Sequence, residues 1–250
     1  YPGHLWHNRQ KIPLDGKTYS HDLIMDQALK FIRTNKERPF FCYMPITIPH
    51  AAMQAPPALH QKYRQRYPQF EEKVGKYAGK EVPNPVAAFP AMVEHLDHGV
   101  GQVMTLLKEL GIEENTLVMF TSDNGPHNEA GHNPELFTPA GPLRGMKRTL
   151  TEGGIRVPTL AWWPKTIQSN SVSNEPFYFG DLMATACEMA GAEIPKLHDS
   201  ISFIPTLKGD HKNQELHKYL YWEFYERTFR QAVIMRDWKL IRAGMDNQRI

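Results

Sequence analysis

The chain has 250 residues, 41% of them hydrophobic and 22% charged, and carries a formal charge of +2 from 29 basic and 27 acidic side chains. This is the composition of a soluble globular protein large enough to bury a sizeable core. No apolar run approaches the roughly 20 residues of a membrane span, no basic stripe supports nucleic-acid binding, and two cysteines, Cys42 and Cys187, exclude a disulfide framework or a thiolate metal cage.

In chain order, Ser20 is placed to cap a helix running to about Thr34, with Ile24, Ala28, Phe31 and Ile32 at helical spacing and Asp22 in its first turn. After Arg38-Pro39, "FFCYMPIT" reads as a strand buried on both faces. From Pro49 to Pro90 the chain is rich in Pro, Gln, Lys and Tyr, and its polarity predicts a long surface excursion. Pro90 opens a helix marked by Val93, Leu96, Val100, Val103, Leu107 and Leu110, closed by Gly111.

"TLVMFTS" and "RVPTLAWWP" give two further strands, and Asp181 to Ala190 a helix ended by Gly191. "KYLYWEFY" and "RQAVIMRDWKLIRAG" read as antiparallel strands turning near Arg236-Asp237. Alternating helices and strands predict a doubly wound, mainly parallel α/β sheet. Residues 1–215 form part of that domain and 216–250 begin a small antiparallel subdomain.

Ligands of such a sheet collect beyond the carboxyl ends of its strands. Two polar clusters fall there: Pro49-His50 after "FFCYMPIT" and Asp123-Asn124-Gly125 after "TLVMFTS". Asp and Asn offer hard oxygens suited to Ca²⁺ or Mg²⁺. Histidine, as at His50, is the side chain suited to holding or giving a proton near neutrality. Lys147 lies among Gly141, Gly145, Gly153 and Gly154, which would let backbone approach a ligand. Taken singly, each has an ordinary explanation: a turn, a solvated imidazole, an exposed lysine. Arg156 is expected to pair with a structural carboxylate, and His127 and His132 are second-rank candidates for reading the sugar or aryl part of a substrate.

"ITIPH", then "TSDNG", then "LRGMK" and "EGGIRVP", in that order on alternating elements, closely resemble the type I sulfatases. The resemblance extends from "HDLIMDQALKFIR" to "FRQAVIMRDWKLIR". It implies an alkaline-phosphatase-like fold, a single Ca²⁺ rather than Mg²⁺, and hydrolysis of a sulfate ester, with a sulfated sugar favoured. Asp123 and Asn124 match the family's second pair of metal ligands. His50 matches the histidine that bonds the sulfate or assists the leaving oxygen, and Lys147 the lysine that contacts the transferring group. The family also implies an exported protein, while oligomeric state is not legible.

Sulfatases of this type use a formylglycine made in a C/S-x-P-x-R motif, and none of the 250 residues forms one: Cys42 begins "CYMPI" and Cys187 begins "CEMAG". The family's first pair of metal-binding aspartates also has no counterpart before His50. The residues present therefore carry half a site, and an amino-terminal half with the nucleophile is expected outside them, so that the 250 residues alone should be inactive. The rivals are a phosphodiesterase or phosphonate monoester hydrolase of the same superfamily, and a non-catalytic glycan-binding relative.

Overall fold

The computed structural model describes residues 1–226 and 228–245. The chain divides into two compact units, Tyr1–Glu113 with His127–Phe137, and Glu114–Pro126 with Thr138–Ile250. Among the described residues no helix is long and apolar enough to cross a membrane.

The first unit opens on a hairpin, β1 (His4–His7) and β2 (Gln10–Pro13), followed by α1 (Ser20–Asn35). The bounds of α1 match expectation within a residue, but its buried face is His21, Met25, Ile32 and Asn35, so that of Ile24, Ala28, Phe31 and Ile32 only Ile32 is buried, and the N-cap is Tyr19, with no side-chain cap bond, in place of Ser20. Its end is tied by Arg38, whose guanidinium donates to Asn35 Oδ1 at 2.9 and 2.6 Å. "FFCYMPIT" departs from expectation. It finds no ladder partner among the described residues, and its side chains alternate between half-buried and exposed, with Phe41 71% and Tyr43 59% exposed. An apolar run states a preference for burial, but the covering layers must come from elsewhere in the chain.

The expected surface excursion contributes to the core instead. Met53, Ala55 and Val82 pack with Ala88, Ala91 and Met92, and Ile48, Leu59, Tyr63, Phe89 and Ala130 close over them. The polar composition belongs to α2 (Pro57–Arg66), which buries no residue, and to the hairpin β3 (Val74–Tyr77) and β4 (Lys80–Pro83). That hairpin turns through Ala78 and Gly79, both at positive φ, which matches the twist of its strands.

Helix α3 (Pro85–Glu109) begins five residues before the expected start, so that Pro90 lies inside it. Asn84 is the reason. It adopts φ 44°, its Oδ1 accepts the Ala87 N–H at 3.0 Å, and Pro85 takes the first helical position, where a missing N–H costs nothing. A short helix α4 (Pro134–Phe137) completes the unit.

In the second unit β5 (Val118–Thr121) pairs antiparallel with β6 (Thr159–Trp162), while the short α5 (Glu152–Ile155) lies between them in sequence. Among the described residues every ladder is antiparallel. Alternation of helix and strand along a sequence gives the order of elements but not their ladder partners. Helix α6 (Asp181–Ala190) ends at Gly191, whose φ of 63° is the left-handed closure expected there. Its first residue, Asp181, is fully buried and accepts from the backbone of Tyr178 and Ile201 and from His217 Nε2 at 3.1, 2.8 and 2.9 Å. After α7 (Ile204–Leu207), a three-stranded antiparallel sheet is built from β7 (Leu220–Phe224), β8 (Phe229–Met235) and β9 (Trp238–Met245), turning at Arg236 and Asp237.

Candidate active site

In the second unit the chain leaves β5 through Ser122, Asp123, Asn124 and Gly125. Ser122 Oγ donates to the Asn124 carbonyl at 3.0 Å, and Asn124 Nδ2 donates to the Gly125 carbonyl at 2.9 Å. The amide nitrogen of Asn124 is thereby committed to its own turn, which leaves Oδ1 as its accepting end. Asp123 is exposed, and among the described residues its carboxylate joins no hydrogen bond or ion pair.

Three segments then meet backbone to backbone. The Gly125 N–H donates to Gly154 O at 2.9 Å, the Lys147 N–H to Pro126 O at 2.8 Å, and the Gly153 N–H to Arg144 O at 2.8 Å. A Cβ on Gly125 would lie 1.8 Å from Gly153 O, one on Gly153 would lie 2.2 Å from Gly145 O, and one on Gly154 would lie 2.1 Å from Thr149 O. These glycines are needed because the Asp123-Asn124 turn, the lysine loop and α5 press on one another; a reading of them as a cradle for a ligand is corrected to that extent. Asp123, Asn124 and Lys147 are thus held in one frame by main-chain bonds.

The surrounding charges anchor the same frame. Arg148 pairs with Glu226 at 2.7 Å, Arg230 donates to Arg148 O at 2.8 Å, and Lys239 reaches Glu152 at 2.6 Å. Arg156 is exposed and, among the described residues, pairs with no carboxylate, so the structural ion pair expected for it is not formed.

In the first unit His50 is exposed, between the cis peptides Ile48–Pro49 and Ala51–Ala52. Its backbone N–H donates to Thr47 O at 2.9 Å, and its Nδ1 lies 2.5 Å from Ala51 O. A carbonyl only accepts, so Nδ1 carries a proton. The ring stands edge-on to Tyr77 at 5.9 Å. Nothing in the sequence marks Tyr77, which the β3–β4 hairpin delivers from a distant stretch of chain.

The two second-rank histidines are buried. His127 is 7% exposed, with Nε2 3.1 Å from Pro49 O and Nδ1 accepting the Glu129 N–H at 3.0 Å. His132 is 5% exposed and lies between Phe89 at 4.0 Å and Phe137 at 5.9 Å, and neither ring nitrogen has a partner among the described residues. Burial, helped by nearby His127 and Lys73, lowers its pKa to about 4, so the ring is neutral at pH 7.

The model of the sulfatase family matches residues 3–192. This chain belongs to the sulfatase family. A second family model, described as the C-terminal part of N-sulphoglucosamine sulphohydrolase, matches residues 146–248. Mouse (Mus musculus) steryl-sulfatase is 34% identical over 214 residues, which are 84% of this chain and 30% of that protein. Mouse N-acetylgalactosamine-6-sulfatase is 33% identical over 223 residues, 84% of this chain and 38% of that one. The solved structure of Ps i-CgsB, also determined in complex with k-i-k-neocarrahexaose, matches with a TM-score of 0.76 at 28% identity, over 95% of this chain and 49% of that chain. The chain therefore spans about a third of the length of these two curated relatives. Its fold is the alkaline-phosphatase-like α/β fold of the sulfatases.

Proposed function

We propose that this chain contributes the metal-holding and proton-donating parts of an active site that hydrolyses a sulfate ester, on a sulfated sugar, to an alcohol and sulfate. The observation that carries the reading is the backbone frame that holds Asp123-Asn124-Gly125 and Lys147 together, in the loops that follow and precede the paired strands β5 and β6. Two titratable or oxygen-bearing motifs far apart in sequence are fixed there by glycines that tolerate no side chain.

Asp123 and the Oδ1 of Asn124 are hard oxygens of the kind Ca²⁺ prefers, and they would hold it. Ca²⁺ takes about six to eight oxygens, so Asp123 and Asn124 would supply only part of its shell. When bound, the ion supplies positive charge to the oxygens of the transferring sulfuryl group. A formylglycine, for which these residues hold no C/S-x-P-x-R motif, would supply the attacking oxygen.

The chain's own groups handle charge and the proton. The Lys147 ammonium opposes the negative charge that spreads over the sulfuryl oxygens. Cleavage of the bond from sulfur to the leaving oxygen needs a proton at that oxygen. His50 in its imidazolium form keeps Nδ1–H on Ala51 O and offers Nε2–H for that transfer.

The test is made on the full-length protein containing this chain, with 4-nitrophenyl sulfate and sulfated oligosaccharides as substrates, in Ca²⁺ and after chelation. Chelator-sensitive sulfate release is expected, together with its loss in His50→Ala and Lys147→Ala. Faster hydrolysis of bis(4-nitrophenyl) phosphate or a phosphonate monoester would assign the protein to phosphoryl chemistry instead. Glycan binding without turnover would mark a non-catalytic relative. The 250 residues alone are expected to show no turnover.

A further inference from the structure

His127 is engaged at both ring nitrogens by main chain. Glu129 N–H donates to Nδ1 at 3.0 Å, so Nδ1 is unprotonated and the proton sits on Nε2, 3.1 Å from the carbonyl of Pro49. That carbonyl belongs to the peptide joining Pro49 to His50. The His127 ring also lies 6.0 Å from the ring of His50 and 5.3 Å from that of His132, which Phe89 and Phe137 wedge in place. One side of the imidazole is therefore fixed by its own loop and a buried aromatic cluster. The other side grips the peptide that sets the direction of the His50 side chain.

We propose that His127 is a positioning residue for His50: its Nε2–H holds the Pro49 carbonyl and so fixes the plane of the peptide from which the His50 side chain departs. The proposal rests on the catalytic role given to His50 above. His50 is exposed; its Nδ1 and its N–H bond to Ala51 and Thr47 of its own loop, and its ring stands against Tyr77. His127 connects that loop to buried structure. At 7% exposed and with both nitrogens spent on backbone, the ring is a strut and not a contact for substrate. A displacement of about 1 Å in a reacting group can cost on the order of 100-fold in rate.

Two substitutions separate the bonds. In His127→Asn the amide oxygen can still accept from Glu129 while nothing reaches Pro49; in His127→Gln the longer amide can still donate to Pro49 O. In the full-length protein, with 4-nitrophenyl sulfate, His127→Asn is expected to lower kcat by about 10- to 100-fold with KM within about twofold, and His127→Gln to recover part of the loss. The double variant His50→Ala with His127→Asn should be no slower than His50→Ala alone, because the second change acts through a group already removed. Amide hydrogen exchange should quicken in residues 50–52 of His127→Asn and stay unchanged in α3. Additive losses, or unaltered kcat and exchange in His127→Asn, would overturn the proposal while leaving His50 catalytic. Full kcat in His50→Ala would instead remove the reading on which it rests, and the proposal with it.

Discussion

Gly125 donates its N–H to the carbonyl of Gly154 across 2.9 Å, and the space where a Cβ of Gly125 would sit is taken by the carbonyl oxygen of Gly153, 1.8 Å away. The obstructing atom is backbone, so no rotamer change relieves the overlap. Gly125→Ala must push the Asp123-Asn124 turn away from α5. The expected result is a loss of about 1–3 kcal/mol of stability and at least a 100-fold fall in sulfate-ester turnover of the full-length protein. Gly101→Ala is the control. It lies in α3 with nothing within 4 Å of its Cβ position and should be neutral or stabilising by up to about 1 kcal/mol. Thermal unfolding and turnover on both variants decide the matter; a Gly125→Ala protein as active as wild type would show that the frame is not needed.

Asn84 makes three side-chain bonds from a fully buried position. Its Oδ1 accepts from Ala87 N–H at 3.0 Å, and its Nδ2 donates to Tyr67 O at 2.9 Å and to Glu71 at 2.8 Å. Asn84→Ala removes the cap of α3, deprives Glu71 of its bond from Nδ2, leaves Ala87 N–H and Tyr67 O only their backbone bonds to Asn84 O and Phe70 N–H, and keeps a left-handed φ that alanine resists. A loss of roughly 2–4 kcal/mol is expected from chemical denaturation. Asn84→Gly, which accepts the φ, should lose less. Equal stability of the alanine variant and wild type would mean that the cap contributes nothing.

These two residues also show what the sequence reveals and what it withholds. The bounds of helices α1 and α6 and the β8–β9 turn were legible because local signals agree: apolar residues at helical spacing, Gly191 at a left-handed closure, Arg236-Asp237 between alternating strands; the buried face of α1 was not, since it carries His21 and Asn35. The start of α3 was not. Asn84 becomes a cap only because Tyr67 and Glu71, brought up by the preceding turn, stabilise it there. The order of Asp123, Asn124 and Lys147 was readable as motif spacing, yet the reason for the glycines was not, since a mutual backbone contact leaves the same composition as a ligand cradle. His127 and His132 sit in a polar stretch that reads as solvated loop. Only the fold supplies Phe89 and Phe137 to bury them.

Asp123 and Lys147 share one frame but have different assigned tasks, and their variants should separate. Asp123→Ala removes a hard anionic oxygen and is expected to weaken Ca²⁺ binding by the full-length protein at least tenfold by calorimetry, with turnover restored only at high Ca²⁺. Asp123→Asn keeps an oxygen without the charge and should fall between. Lys147→Ala should leave the Ca²⁺ titration close to wild type and lower kcat by about 100-fold or more, as loss of a charge-stabilising donor does. Unchanged Ca²⁺ affinity in Asp123→Ala would remove Asp123 from the ligand set.

His132 supplies a pH dependence whose sign follows from its burial. In the unfolded chain the imidazole protonates near 6.5, but in the fold, packed against Phe89 and Phe137 with His127 and Lys73 nearby, it resists protonation until about pH 4. As pH falls from 7, the unfolded state binds the proton first. Stability is therefore lost between about 6.5 and about 4 and levels off below, where both states are protonated; a shift of this size is worth on the order of 3 kcal/mol. His132→Phe, which keeps an aromatic ring in the stack, should remove that slope, so that its advantage over wild type is larger at pH 5 than at pH 7.5. Glu71 works in a separate window. Hydrogen bonds from Arg64 and Asn84 lower its pKa to about 2, and the stability it adds is lost only as pH falls below about 4.5, in the variant and wild type alike. Urea denaturation at pH 7.5 and 5 tests the point. A His132→Phe difference that does not change with pH would show that His132 titrates as it does in the unfolded chain.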